Sequence, residues 1–220
     1  MKKLLFIAAI IINGVTFGQG SNKKMVIKKG AFNLGGRVVL VFDNYKNRDN
    51  TYKSDRNSFE VNPNFGYAIK NNLLIGLGMG YVYSKNKSYD IDDLIIDERS
   101  HSTTEGVNIF PYVKKYFSLG SKLLIHLQGE FKYSEYKQKL SNTNMLNNSN
   151  RFSNSIFVGL RPGITYFFSK NLAFETNLGA IGYTRGKNQY ASINNGGNKS
   201  KSFSFNLDSS NLQFGFSYFF

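Results

Sequence analysis

Apolar and polar side chains alternate along residues 212–220, and this pattern limits the segment to an extended strand. One face of this strand carries small or polar residues, apart from Phe219. The opposite face holds only apolar and aromatic side chains: Leu212, Phe214, Phe216, Tyr218 and Phe220. Because this face ends on an aromatic residue, we expect it to contact lipid rather than a protein core.

Eight segments share this alternation, at about 31–42, 58–69, 73–83, 106–117, 123–133, 156–168, 172–183 and 203–220. Short turns at 67–74, 116–123 and 167–172 alternate with long polar connections at 43–57, 84–105, 134–155 and 184–201. This alternation of short turns and long connections is typical of outer-membrane β-barrels. We therefore predict an all-β fold, an eight-stranded antiparallel up-and-down transmembrane β-barrel with short periplasmic turns and long outer loops.

The polar residues of these segments fall on the face opposite the apolar one, which predicts a polar interior. An eight-stranded barrel is just wide enough for its side chains to fill, so we expect no wide pore. Glu130 and Arg161 are predicted at similar heights on neighbouring strands. The predicted lumen network consists of Arg37, Glu60, Lys114, His126, Glu130, Lys132, Arg161 and Glu175.

A filled lumen predicts a structural or surface-interaction role. A narrow porin-like channel for small solutes or ions is the alternative. His126 has no serine at an adjacent position of its face, and the chain contains no cysteine and only two histidines. We therefore predict no enzymatic activity, no cofactor and no metal site.

The first 18 residues have the pattern of a secretory signal peptide. Lys2 and Lys3 precede nine apolar residues at 4–12, and small residues precede a cleavage site after Gly18. Nine residues are too few to cross a bilayer as a helix, which needs about 20. We predict a cleaved signal at 1–18 and a barrel domain at 19–220.

The only three prolines, Pro63, Pro111 and Pro162, each stand six residues before the end of a predicted strand. Proline removes a donor from the hydrogen-bond ladder and is usual at edges and bulges. Since a closed barrel has no edge, the prolines predict a local bulge repeated around the wall.

The chain resembles the outer-membrane β-barrel domain proteins of Gram-negative bacteria, in particular the small OmpA/OmpX-type barrels. The resemblance rests on the export signal, the alternating segments and an ending that matches the family's assembly signal: Gln213, Gly215, Tyr218 and Phe220. It implies location in the outer membrane and insertion by the barrel-assembly machinery.

The partners that we expect are outer-membrane lipid and lipopolysaccharide. The formal net charge is +14, and basic residues are frequent in the predicted outer loops, including Lys187 to Lys201. Basic loops at an outer surface suit lipopolysaccharide phosphates. Nucleic acid is not an expected partner of an exported barrel, and we expect a monomer.

Overall fold

The computed structural model describes residues 24–49, 51–92, 95–142, 145–190, 198–206 and 212–220. The predicted signal peptide, residues 1–18, lies outside them. Within these ranges, no helix is long and apolar enough to cross a membrane. The described part of the chain contains ten strand segments: β1 (Phe32–Lys46), β2 (Tyr52–Lys70), β3 (Leu73–Asp92), β4 (Ile95–Ser118), β5 (Leu123–Asn142), β6 (Met145–Phe167), β7 (Leu172–Leu178), β8 (Ala180–Tyr190), β9 (Asn198–Asn206) and β10 (Leu212–Phe219).

The strands form a closed antiparallel barrel. Each of β1 to β6 pairs with the next along the chain, and β6 then pairs with both β7 and β8. β7 and β8 are two parts of the seventh barrel strand, separated at Gly179, and β9 and β10 belong to the eighth. β10 returns to β1 over Asn33–Val38 and closes the ring. The predicted eight-stranded architecture is confirmed.

The strands extend much further beyond the apolar part of the wall at one end of the barrel than at the other. At one end, short connections join β2 to β3, β4 to β5 and β6 to β7, and Asn72 adopts a φ of 61° in the first of them. At the other end the strands continue beyond the predicted positions, to Lys46, Asp92, Asn142 and Tyr190. The predicted strand ends were therefore wrong at this end. Above the apolar part of the wall both faces are polar, so paired strands there have the composition of loops.

The three prolines interrupt the hydrogen-bond ladder toward the following strand. At Pro63, and again at Pro111, two consecutive residues have no partner on the following strand. The register is the same on either side of each gap. The predicted bulge is wrong at these two positions, because the ladder tolerates the missing donor without an inserted residue. At Pro162 the partner strand contains one additional residue near Gly179, whose φ is 99°, and a bulge is present.

Side chains alternate between the lumen and the outer wall, as the pleat of a strand requires. The outward positions carry exposed apolar residues around the barrel, such as Leu40, Met79, Val107 and Phe131. The inward positions carry buried polar residues, such as Asn62 and Gln128. Lys115 is exposed on the outward face near the short-turn end, as its place in the alternation predicts.

Candidate functional site in the barrel interior

An apolar cluster closes the short-turn end of the barrel. Phe219 lies at its centre, with ring centroids 5.2 Å from Phe167 and 6.3 Å from Tyr116. The members are inward residues of seven strand segments together with one residue that precedes β1: Ile27, Ala68, Leu74, Tyr116, Leu124, Phe167, Ala173 and Phe219. We call this cluster the floor plug. It forms a buried apolar layer at the short-turn end of the lumen.

Residues 24–31, which precede β1, cross the short-turn end and hold Ile27 in the floor plug. The amide of Ile27 donates to Asn72 Oδ1 at 2.8 Å, and the amide of Asn72 donates to the Ile27 carbonyl at 2.9 Å. Met25 and Gly30 donate backbone hydrogen bonds to Gly120 and Ala68. The sequence analysis missed this segment because it lies outside the alternating strands.

A buried ion pair lies next to the floor plug. Lys114 Nζ donates to Glu175 Oε2 at 2.7 Å, and the Tyr116 hydroxyl donates to Glu175 Oε1 at 2.8 Å. Lys114 is 3% exposed and Glu175 is 6% exposed. The ammonium also lies over the rings of Tyr112 and Tyr116, at 5.6 and 5.8 Å from their centroids. Both oxygens of the carboxylate are therefore occupied.

His126 is fully buried beside this pair. Its Nδ1 lies 2.8 Å from Thr165 Oγ1, and its Nε2 lies 2.8 Å from Asn177 Oδ1. Because an amide oxygen only accepts, we assign the ring proton to Nε2, and the threonine hydroxyl then donates to Nδ1. Both ring nitrogens are satisfied by neutral partners. His126 therefore fills the lumen and is held in place by Thr165 and Asn177.

A second charged group lies between β5 and β6. Glu130 Oε1 accepts from Arg161 Nε at 2.8 Å, and Glu130 Oε2 accepts from Gln128 Nε2 at 2.8 Å. The Arg161 guanidinium carbon lies 5.2 Å from the centroid of the Phe157 ring. The structure thus brings together the two residues that the sequence analysis placed at one height.

The remaining predicted network residues lie around these two groups. Arg37 Nη1 donates to Gln213 Oε1 at 2.8 Å, and its guanidinium lies 5.5 Å from the centroid of the Phe110 ring. Half-buried Glu60 accepts from Asn62 Nδ2 at 3.0 Å. Lys132, also half-buried, follows Glu130 on the same face of β5.

Glycines of β3 make room for aromatic rings in the lumen. Gly76 pairs with Tyr112 and Gly78 with Phe110 across β3 and β4. A Cβ atom on Gly76 would lie 2.4 Å from Tyr112 Cζ, and one on Gly78 would lie 2.1 Å from Phe110 Cζ. The sequence analysis missed these inward aromatics. The signal that identifies them is a glycine directly opposite each ring.

The interior therefore contains paired ions, hydrogen-bonded polar groups and packed rings, together with Asn33 and Asn108, whose buried side-chain amides have no hydrogen-bond partner in the described part of the chain. Among the described residues, no group of three or more histidine, aspartate or glutamate side chains is arranged to hold a metal ion. The arrangement fills space and stabilises the wall.

The C-terminal motif residues divide between the two faces of β10. Gln213 accepts the hydrogen bond from Arg37 inside the barrel, and a Cβ on Gly215 would lie 2.3 Å from the Gly36 carbonyl oxygen. Tyr218 and Phe220 are exposed on the outer wall with ring centroids 6.2 Å apart. Phe220 also stacks on Phe32 of β1 at 5.7 Å.

No family model and no curated protein matches the chain. The solved structures similar to it include a major outer membrane protein from Thermus thermophilus, with 12% identity, 87% of this chain and 99% of that chain covered, and a TM-score of 0.49. The outer membrane protein OprG from Pseudomonas aeruginosa has 13% identity, 90% and 99% coverage, and a TM-score of 0.45. These neighbours are outer-membrane proteins.

Neisserial surface protein A is similar at 15% identity, with 87% of this chain and 100% of that chain covered and a TM-score of 0.42. At such identities and scores the neighbours decide no function. The strand pairing of the chain itself establishes the barrel fold.

Proposed function

We propose that this chain is an integral outer-membrane protein with a closed, side-chain-filled lumen, and that it acts through its outer surface as a structural or interaction protein. The observation that carries this proposal is the floor plug, which places apolar side chains across the short-turn end. The buried ion pairs above it fill the next layers. An ion passing through the lumen would have to cross this buried apolar layer, which is costly.

Support for a membrane position comes from the outer wall. Large apolar side chains are exposed on every side of the barrel, among them Leu34, Met79, Val107 and Phe216, which are 56–58% exposed. An apolar belt of this extent on a water-soluble monomer would be unusual. A closed barrel also satisfies the backbone hydrogen bonds that lipid cannot. We assign the short turns to the periplasm and the tall hairpins to the cell exterior.

Export by residues 1–18 and insertion through the motif Gln213, Gly215, Tyr218 and Phe220 complete the proposal. In this account β10 presents Tyr218 and Phe220 to lipid while Gln213 and Gly215 face Arg37 and β1. The expected location is the outer membrane, the expected contacts are its lipids, and the expected state is a monomer.

Conductance in planar bilayers tests the closed lumen. The folded wild-type barrel should give no discrete current steps, because the floor plug blocks the lumen. Compact migration on an unheated gel should verify folding before each recording. Discrete steps from the wild-type protein would refute the closed lumen and favour the narrow channel for small solutes or ions.

A matched pair of variants locates the barrier. Phe167 is 2% exposed in the floor plug, whereas its neighbour Phe168 is 54% exposed on the outer wall. Phe167→Ala should raise ion leakage through the barrel, and Phe168→Ala should remain silent. Equal leakage from both variants would show that the floor plug is not the barrier.

A further inference from the structure

Four basic residues form a compact group on the outward face of the β8–β9 hairpin. Arg185 stands directly opposite Lys201, and Lys187 stands directly opposite Lys199. Opposite residues of an antiparallel pair have Cβ atoms about 4.5–5.5 Å apart, and next-but-one residues along a strand are about 7 Å apart. We call these four residues the basic quartet. The four side chains are therefore close enough together to contact one or two phosphate groups at the same time.

Several other basic residues on the outward wall have an acidic neighbour. Lys53 Nζ lies 2.6 Å from Asp55 Oδ2, and Asp55 stands opposite Lys87 between β2 and β3. Lys137 stands opposite Glu105 between β4 and β5. Asp55 with Lys87 and Glu105 with Lys137 place unlike charges across the strands, which is the favourable arrangement.

The basic quartet lacks this compensation. No described carboxylate forms an ion pair with any of its four members. On the side of β6, the outward carboxylate level with the quartet is Glu135. Glu135 stands opposite Asn154 of β6, and Asn154 stands opposite Lys187, so Glu135 lies two strands away from the quartet. Two strand spacings are about 10 Å. Like charges directly opposite each other destabilise a sheet, so the quartet is a cost to the isolated chain unless an anion binds there.

Aromatic side chains lie directly beside the basic quartet on the membrane side. Tyr183 pairs with Phe203 one step below Arg185 and Lys201, and Ile181 pairs with Phe205 below them. Phe203 is 73% exposed and Phe205 is 68% exposed on the outer wall. The surface therefore offers cations at the level of the headgroups and rings at the level of the acyl chains.

We propose that the basic quartet binds the phosphate groups of lipid A in the outer leaflet, with its acyl chains against Phe203 and Phe205. This inference rests on the proposed outer-membrane position. A phosphorylated glycolipid matches both halves of the surface, because its phosphates neutralise the opposed cations and its chains cover the rings. A soluble phosphate would meet the same cations and leave the rings exposed.

Titration of the folded, detergent-solubilised protein with bisphosphorylated lipid A tests the site, with native mass spectrometry as the readout. The variant R185Q/K187Q/K199Q/K201Q should bind at least about tenfold more weakly than the wild type, since each basic residue near a lipid surface contributes to attraction. The control K53Q/K85Q/K87Q/K137Q removes the same number of charges elsewhere on the outward wall and should bind like the wild type.

The choice of ligand separates the sources of phosphate. Dephosphorylated lipid A should bind the wild type as weakly as phosphorylated lipid A binds the quartet variant. Inorganic phosphate and phosphatidylglycerol should not displace lipid A at equal concentration. Equal binding by the quartet variant and the wild type would overturn the proposal, as would displacement by inorganic phosphate, which would identify a simple anion site.

Stability without lipid A provides a second measurement. In nonionic detergent the quartet variant should melt at or above the wild-type temperature, because repulsion between opposed cations is removed. The wild type should gain stability with added salt more than the variant does. A variant less stable than the wild type would show that the four residues support the fold themselves, and would overturn the proposal. Neither measurement depends on conductance, so a leaking lumen and a missing lipid site are distinguishable.

Discussion

The buried pair of Lys114 and Glu175 permits a quantitative prediction. Glu175→Gln keeps the shape of the side chain and an oxygen for the Tyr116 hydroxyl, but it leaves the Lys114 ammonium without a counterion where that side chain is 3% exposed. Breaking a buried pair by neutralising one partner costs about 3–5 kcal/mol. We expect the free energy of unfolding of the Glu175→Gln barrel to fall by that amount.

Two further variants make the measurement specific. Lys114→Met combined with Glu175→Gln should recover most of the loss, because it removes the uncompensated charge. Glu60→Gln is the control, since Glu60 is half-buried and hydrogen-bonded to a neutral amide, and it should cost less than about 1 kcal/mol.

The assay is equilibrium unfolding in urea, in lipid vesicles. Far-ultraviolet circular dichroism should follow the transition, because the chain contains no tryptophan. A loss below about 1 kcal/mol for Glu175→Gln, or a double variant no more stable than the single one, would refute the reasoning.

Two other predictions concern packing inside the barrel. Glu130→Gln should lower the melting temperature in detergent by about 5–10 °C, because it removes the counterion of half-buried Arg161, and an unchanged melting temperature would contradict the pairing. Gly78→Ala should destabilise the barrel by about 1–3 kcal/mol, because its Cβ would lie 2.1 Å from Phe110 Cζ. Gly129→Ala, whose Cβ would meet nothing closer than 3.5 Å, should be nearly neutral in the same urea titration.

The barrel itself was predictable because lipid and a polar interior impose opposite demands on successive residues. Most outward side chains are apolar over about ten residues, so the alternation is strong enough to identify strands and faces. Glu130 and Arg161 were placed at one height by counting from the short turns, and the structure puts them 2.8 Å apart. The alternation weakens above the membrane, which is why the strand ends at Lys46 and Asn142 were placed too early.

The apolar layers of the interior were not predictable from alternation. Phe110 and Tyr116 stand at inward positions where a polar residue was expected, and their burial depends on neighbours across strands. The contribution of Ile27 depends on how the segment before β1 crosses the barrel. Contacts of this kind are set by tertiary packing, and only the structure shows them.

The first and last strands are joined less extensively than their neighbours. β1 pairs with β2 from Phe32 to Lys46, whereas its pairing with β10 covers Asn33 to Val38 in the described part of the chain. A closed sheet under mechanical force separates first where two neighbouring strands share the fewest paired residues. Force applied to this molecule would therefore peel β10 away from β1 first, while the long hairpins elsewhere in the wall kept their hydrogen bonds.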